Sequence, residues 1–171
     1  MKTNIESAQC SVPRDSRLSN RIIRTLLAED CPILMALLAR TVSRIQKVSI
    51  VGCATDGLKA LRNASTLQLD LVVTDLHMPG LDGAEVTRRL KQLPNPPIVF
   101  IVTSDDTPEV RARCMAAGAD AFLVKASNLV TQLLSAVQEF FPDDLELLPT
   151  ISNRMLPNQN ISMLKGEQPW S

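Results

Sequence analysis

VVTDLHMPGLDG, residues 72–83, decides how this chain is read. Val72, Val73 and Thr74 run into a single acid, Asp75, and His77, Pro79, Gly80 and Gly83 follow within eight residues. A β-branched run that stops on a carboxylate and then turns tightly is a strand presenting an acid at its end. The run itself spans 69–74, and four others surround it at 22–28, 48–54, 97–103 and 119–124. These runs are nearly continuous rather than alternating, as in strands buried on both faces of a parallel sheet. Between them lie segments of helical period at 31–46, 56–65, 82–92, 107–117 and 127–141. Five strands alternating with five helices predict an α/β fold of βαβ units with right-handed crossovers.

Local signals support those boundaries. Asp82 is placed to cap the third helix, and Asp106 or Thr107 the fourth, with Pro108 suited to its first turn. Gly118 reads as the glycine that ends the fourth helix, and Pro94, Pro96 and Pro97 separate the third helix from the fourth strand. Residues 21–141 therefore form the folded domain, with a flexible N-terminal arm at 1–20 and a mostly irregular C-terminal tail at 142–171.

Composition removes several function classes. Lys and Arg total 18 and Asp and Glu total 18, so no bulk basic field draws in nucleic acid. Aromatics are 3% with no Tyr, too few for a base-stacking platform. No apolar run approaches the roughly 20 residues of a membrane span, and the first residues lack the apolar core of a secretion signal. A cytoplasmic protein is expected. Cys10, Cys31, Cys53 and Cys114 show no metal-binding spacing beside the single histidine, His77, and read as reduced, structural thiols.

In an open α/β sheet the ligand crevice forms at the carboxyl ends of the strands. Glu29 and Asp30 end the first run, Asp75 the third, Thr103 and Ser104 the fourth, and Lys125 the fifth. Singly, each has a plainer reading as a helix cap, a turn or a solvated loop. Together, with strands one and three as neighbours, they put three carboxylates in one pocket. Like charges so close repel, and a hard divalent cation such as Mg²⁺ relieves them through oxygen ligands. Metal, hydroxyl, ammonium and a free carboxylate oxygen make a site for a phosphoryl group, with the carboxylate able to attack phosphorus.

LLAED (26–30), VVTDLHMPGLDG, IVTSDD (101–106) and AFLVK (121–125), in this order, resemble the response-regulator receiver domain of two-component signalling, of the CheY-like superfamily. The resemblance covers residues 21–141. It implies a flavodoxin-like doubly wound (βα)5 sandwich around a parallel five-stranded sheet in order 2-1-3-4-5. It makes Asp75 the phospho-acceptor, fed from a phosphohistidine on a histidine kinase or histidine phosphotransfer protein. It makes Asp30, Asp75 and the backbone carbonyl of His77 direct ligands of Mg²⁺ (or Mn²⁺), with Glu29 acting mostly through metal-bound water. Thr103 then hydrogen-bonds the phosphoryl oxygen, Lys125 pairs with it, and Phe122 is the switch aromatic that turns inward as Thr103 moves. The side chain of His77 and Asp105 fall near the attacking water, as candidates for setting phosphoryl lifetime.

Two details depart from the family's commoner pattern: Glu29 is the first acid, and Ala126 rather than Pro follows Lys125, leaving a cis peptide there open. No DNA-binding module is recognisable after Phe141, so a stand-alone receiver is expected, with output by protein contact to an unidentified downstream protein. The face of the fourth helix, fifth strand and fifth helix is the expected surface, with a homodimer as one use of it and no direct contact to nucleic acid or membrane. The first and fifth helices are strongly apolar, read mainly as core burial, with docking as the alternative: kinase-side contact near the first helix, or dimerisation through the fifth. The alternatives are a phosphorylation-independent scaffold or binding module, and a Mg²⁺-dependent phosphatase with an aspartyl nucleophile. The latter needs an acid two residues beyond the nucleophile, where this chain has His77. The leading reading is a signalling switch that catalyses only its own phosphorylation and slow dephosphorylation, and is otherwise not an enzyme.

Overall fold

The computed structural model describes residues 21–142; the arm at 1–20 and the tail from 143 onward lie outside the described residues. The elements are β1 (Ile23–Ala28), α1 (Pro32–Val42), β2 (Val48–Ala54), α2 (Gly57–Thr66), β3 (Leu71–Asp75), α3 (Gly83–Leu90), β4 (Ile98–Thr103), α4 (Pro108–Ala116), β5 (Ala121–Val124) and α5 (Leu129–Phe140). The strands form one parallel sheet in order β2-β1-β3-β4-β5, as the resemblance implied.

The continuous apolar runs are explained by two covered faces. All five residues of central β3 are buried, whereas edge strand β2 is mostly half-exposed. Successive side chains of a strand point to opposite faces. Leu71, Val73, Phe100 and Val102 accordingly pack with Leu38 and Val42 of α1 and Leu133 and Val137 of α5. Val72 and Val99 pack on the other face with Ala60 of α2 and Val86 and Leu90 of α3. Ile101, Leu76 and Phe122 meet Cys114 of α4 in a third cluster. Each fully buried Val or Leu contributes roughly 1.5–3 kcal/mol.

Where sequence and structure part, the causes are local. The first helix stops at Val42 rather than 46, because the chain reverses into β2 through Lys47, at φ 60°. Its apolar face exceeds what the core takes: Leu38 and Val42 are buried, but Ile33 is 80% exposed and Leu37 39%. α5 does follow the core reading, with Phe140 set 5.5 Å centroid to centroid from Phe100. Thr107 caps α4 by position but makes no side-chain cap; its N–H donates instead to Asp105 Oδ1 at 3.2 Å. Gly118 adopts φ 98° just beyond α4, the left-handed conformation its position called for. Of the three cysteines described, only Cys114 is buried, so Cys31 and Cys53 have no core role. Among the described residues every peptide is trans, including Lys125–Ala126, and no helix is long and apolar enough to cross a membrane.

Candidate functional site

β1 and β3 pair with Ala28 opposite Thr74, so Glu29 and Asp75 leave the sheet side by side at its carboxyl edge. Carboxylate oxygens of Glu29, Asp30 and Asp75 all lie within 4.8 Å of one another. Lys125 follows β5, two strands from β3, and reaches over β4. Its backbone N–H donates to the Thr103 carbonyl at 2.7 Å, which fixes the base of the side chain at the end of β4. Its Nζ lies 2.9 Å from both Asp75 Oδ2 and Glu29 Oε2 and donates to Glu29 Oε1 at 3.2 Å. Cys31 N–H, at the start of α1, donates to the same Glu29 Oε1 at 3.2 Å.

Charge in this pocket is unbalanced. Three carboxylates face one ammonium, and each carboxylate pair at such spacing repels by roughly 3–4 kcal/mol at an effective dielectric of about 20. Burial pushes the Glu29 carboxyl above its ordinary pKa, and Asp75 adds to the push, against the counter-pull of Lys125. Burial works against the Lys125 charge too, but hydrogen bonds and attraction from Asp75 and Glu29 outweigh it and hold the ammonium above its ordinary value. Glu29 Oε2 is in ion-pair range of Lys125, yet it receives no hydrogen bond and is fully enclosed. A buried carboxylate oxygen left so is costly. An all-oxygen donor set with that orphaned oxygen fits a hard divalent cation.

The turn after Asp75 is held from two sides. Leu76 N–H donates to Val102 O at 3.1 Å and Gly83 N–H to Leu76 O at 2.8 Å. A Cβ on Gly83 would sit 2.2 Å from the Asp75 carbonyl oxygen, so only glycine lets α3 start this close to the acid. A Cβ on Gly57 would meet Leu81 O at 2.1 Å, so the start of α2 presses on the same turn. Asp82 Oδ1 caps α3 by accepting from Glu85 N–H at 2.8 Å, as its spacing foretold.

The structure thus brings Glu29, Asp30, Asp75 and Lys125 together, with Thr103 fully buried at the end of the neighbouring strand. The Thr103 hydroxyl accepts from Asp105 N–H at 3.1 Å, and its own proton is left to give. His77 lies two residues past Asp75 with its side chain exposed. The Asp105 carboxylate is engaged with the start of α4, accepting from Thr107 N–H. Phe122 is 8% exposed in the cluster under α4. Sequence reasoning missed two arginines of α4. Arg111 places its guanidinium 4.4 Å from the Phe122 ring centroid, and Arg113 bonds Asp82 Oδ2 at 2.6 Å. A charged residue four beyond the helix cap was the available signal, but on an exposed helix it reads as solvated.

Comparison with known proteins agrees with this fold. The family described as response regulator receiver domain matches residues 25–138. The response regulator GacA of Pseudomonas viridiflava is 27% identical over 135 residues, 78% of this chain and 62% of that protein. A protein-glutamate methylesterase/protein-glutamine glutaminase of Methanospirillum hungatei is 33% identical over 103 residues, 60% of this chain and 29% of that protein. The chain therefore spans less than two thirds of the length of these curated relatives. Among solved structures, the signal receiver domain of the putative response regulator NarL from Mycobacterium tuberculosis superposes with a TM-score of 0.63 at 28% identity, covering 69% of this chain and 98% of that one.

Proposed function

The chain belongs to the response regulator receiver domain family, and from that premise we propose that residues 21–141 form a phosphorylation-controlled switch with Asp75 as acceptor. The observation that carries this reading is the cluster of three carboxylates within 4.8 Å, two of which, Glu29 and Asp75, pair with the ammonium of Lys125. Glu29, Asp30 and Asp75, with the backbone carbonyl of His77, would hold Mg²⁺, and Mn²⁺ suits the same oxygen set. When bound, the cation neutralises surplus negative charge and draws in phosphoryl oxygens.

The chain's own groups do the rest. The free Asp75 oxygen attacks phosphorus of a phosphohistidine on a histidine kinase or phosphotransfer protein. An O–P bond forms as the N–P bond breaks, and the imidazole leaves and takes a proton from solvent. Lys125, fixed to the end of β4 through its backbone, pairs with a phosphoryl oxygen, and the free O–H proton of Thr103 donates to another. Hydrolysis returns Asp75 to its starting state, with His77 and Asp105 as the side chains near the path of water. This chemistry acts on the chain itself, so the protein signals rather than turning over a substrate.

Output runs by contact with a downstream protein through the face of α4, β5 and α5, where Phe122 lies, and a homodimer is one form of it. Equal numbers of acidic and basic residues give that output no electrostatic basis for nucleic acid. The cytoplasm, where thiols such as the half-buried Cys31 and exposed Cys53 stay reduced, is the compartment we assign. The test is phosphoryl transfer from a phosphorylated histidine phosphotransfer domain. Label moves to the wild-type chain and not to Asp75→Asn if the reading holds. Equal labelling of both, or of neither, overturns it.

A further inference from the structure

α4 is the least embedded helix of the fold: of its nine residues only Cys114 is buried. Polar contacts hold it instead, and two come from Arg111. Its Nη2 bonds Asp106 Oδ1 at 2.7 Å, and its guanidinium lies over the face of Phe122, 4.4 Å from the ring centroid. The ion pair is about half exposed on both sides, so by itself it contributes little. The ring, 8% exposed, is where the contact has strength, since a guanidinium over an enclosed aromatic face is desolvated on that side.

Asp106 sits in the short loop from β4 to α4, next to Asp105, and Asp105 N–H donates to the Thr103 hydroxyl at 3.1 Å. One loop is therefore tied at one end to Thr103 and at the other, through Asp106 and Arg111, to Phe122. We infer that Arg111 is a positioning residue that keeps Phe122 in its buried seat and links that seat to the Thr103 hydroxyl. It makes no contact with Glu29, Asp30, Asp75 or Lys125, so its effect falls on what the pocket's occupant does to the ring. The inference rests on the receiver reading above, in which the inward ring goes with an engaged Thr103. A ligand that engages Thr103 then binds more tightly when the seat is held, and by linkage the ring is held more firmly when that ligand is bound.

The test uses the full chain, Mg²⁺ and beryllofluoride as a stand-in for the phosphoryl group, with fluorophenylalanine incorporated. The chain has four Phe, so four fluorine resonances are resolvable. Wild type is expected to bind and to shift the Phe122 signal. Arg111→Ala is expected to weaken binding by about two- to fivefold, the range of a cation over an aromatic ring, and to shrink the Phe122 shift. Uptake of phosphoryl from acetyl phosphate at saturating concentration remains at one group per chain. Arg111→Lys, which keeps a cation near the ring, restores part of the affinity. In a Phe122→Leu background Arg111→Ala should add no further loss, the mark of a coupled pair.

Arg111→Ala that melts lower but binds beryllofluoride as wild type does, with the full Phe122 shift, overturns the inference and leaves Arg111 a structural residue. An equal loss in the Phe122→Leu background overturns it too. Failure of the wild type itself to bind beryllofluoride or accept phosphoryl overturns the receiver reading, and is distinct from either result.

Discussion

The two edges of the sheet use the same acid chemistry to opposite ends. At the amino edge, Asp70 precedes β3 and Asp120 precedes β5, and each holds a cation and a backbone N–H. Asp70 Oδ1 bonds Arg21 and Oδ2 accepts from Arg24 N–H at 2.8 Å. Asp120 Oδ2 accepts from Lys91 Nζ at 2.5 Å and from Val99 N–H at 2.7 Å. Each clamps the start of a strand to its neighbour. At the carboxyl edge Glu29, Asp30 and Asp75 crowd together, Lys125 pairs with Glu29 and Asp75 alone, and Glu29 Oε2 accepts no hydrogen bond. The difference is in partners rather than in residue type. An acid with its own cation and its own N–H is structural, whereas acids that outnumber their cation call for another positive charge.

That contrast can be broken or sharpened by experiment. The largest effect expected is metal-linked. Free Mg²⁺ at a hundred times its dissociation constant should stabilise the wild type by about 2.7 kcal/mol. Asp30→Asn should lose most of that gain in thermal melts with and without chelator. Metal-dependent stabilisation that survives Asp30→Asn would place the cation elsewhere.

Next in size is Asp120→Ala. It leaves Val99 N–H without its side-chain acceptor and takes the ion pair from Lys91, whose Nζ keeps the Pro97 carbonyl at 2.8 Å, and should cost about 1.5–3 kcal/mol in denaturant melts. Because Asp120 lies at the far edge, phosphoryl uptake and the Mg²⁺ gain should be unchanged. Loss of uptake in the folded variant would mean the two edges are not separable.

A smaller effect concerns pH. Burial and Asp75 raise the Glu29 pKa, so the folded chain keeps this proton where the unfolded chain has released it. Metal-free stability must then fall as pH rises through the range just above the ordinary glutamate value. Glu29→Gln should flatten this slope in melts run with chelator, and an unaltered slope would show that Glu29 carries no such strain. The smallest effect is at Arg21, 58% exposed in its pair with Asp70. Arg21→Ala should cost less than about 1 kcal/mol, and a larger loss in chemical denaturation would mean the amino-edge clamp is stronger than exposed pairs are.

How much of this was legible in the sequence follows from the same contrast. Strands buried on both faces announce themselves as unbroken apolar runs, so all five were readable to within two residues. The polar residues that end those runs stand out against them, which is why Glu29, Asp30, Asp75, Thr103 and Lys125 could be picked before any geometry. Spatial neighbours on exposed helices carry no such signal. Arg111 over Phe122 and Arg113 on Asp82 depend on how α4 rotates over the sheet, and nothing in PEVRARC fixes that rotation. Which residues of the first helix stay exposed was not legible either: an apolar face wider than its core suits burial or docking, and the sequence does not single out Ile33 and Leu37.

Everything proposed for the crowded edge turns on whether Asp75 takes a phosphoryl group. Intact mass after incubation with acetyl phosphate tests it most directly, with and without Mg²⁺, on wild type and Asp75→Asn. The wild type should gain the mass of one phosphoryl group, dependent on Mg²⁺ and absent from Asp75→Asn. An unmodified wild type, or an adduct that persists in Asp75→Asn, would contradict it.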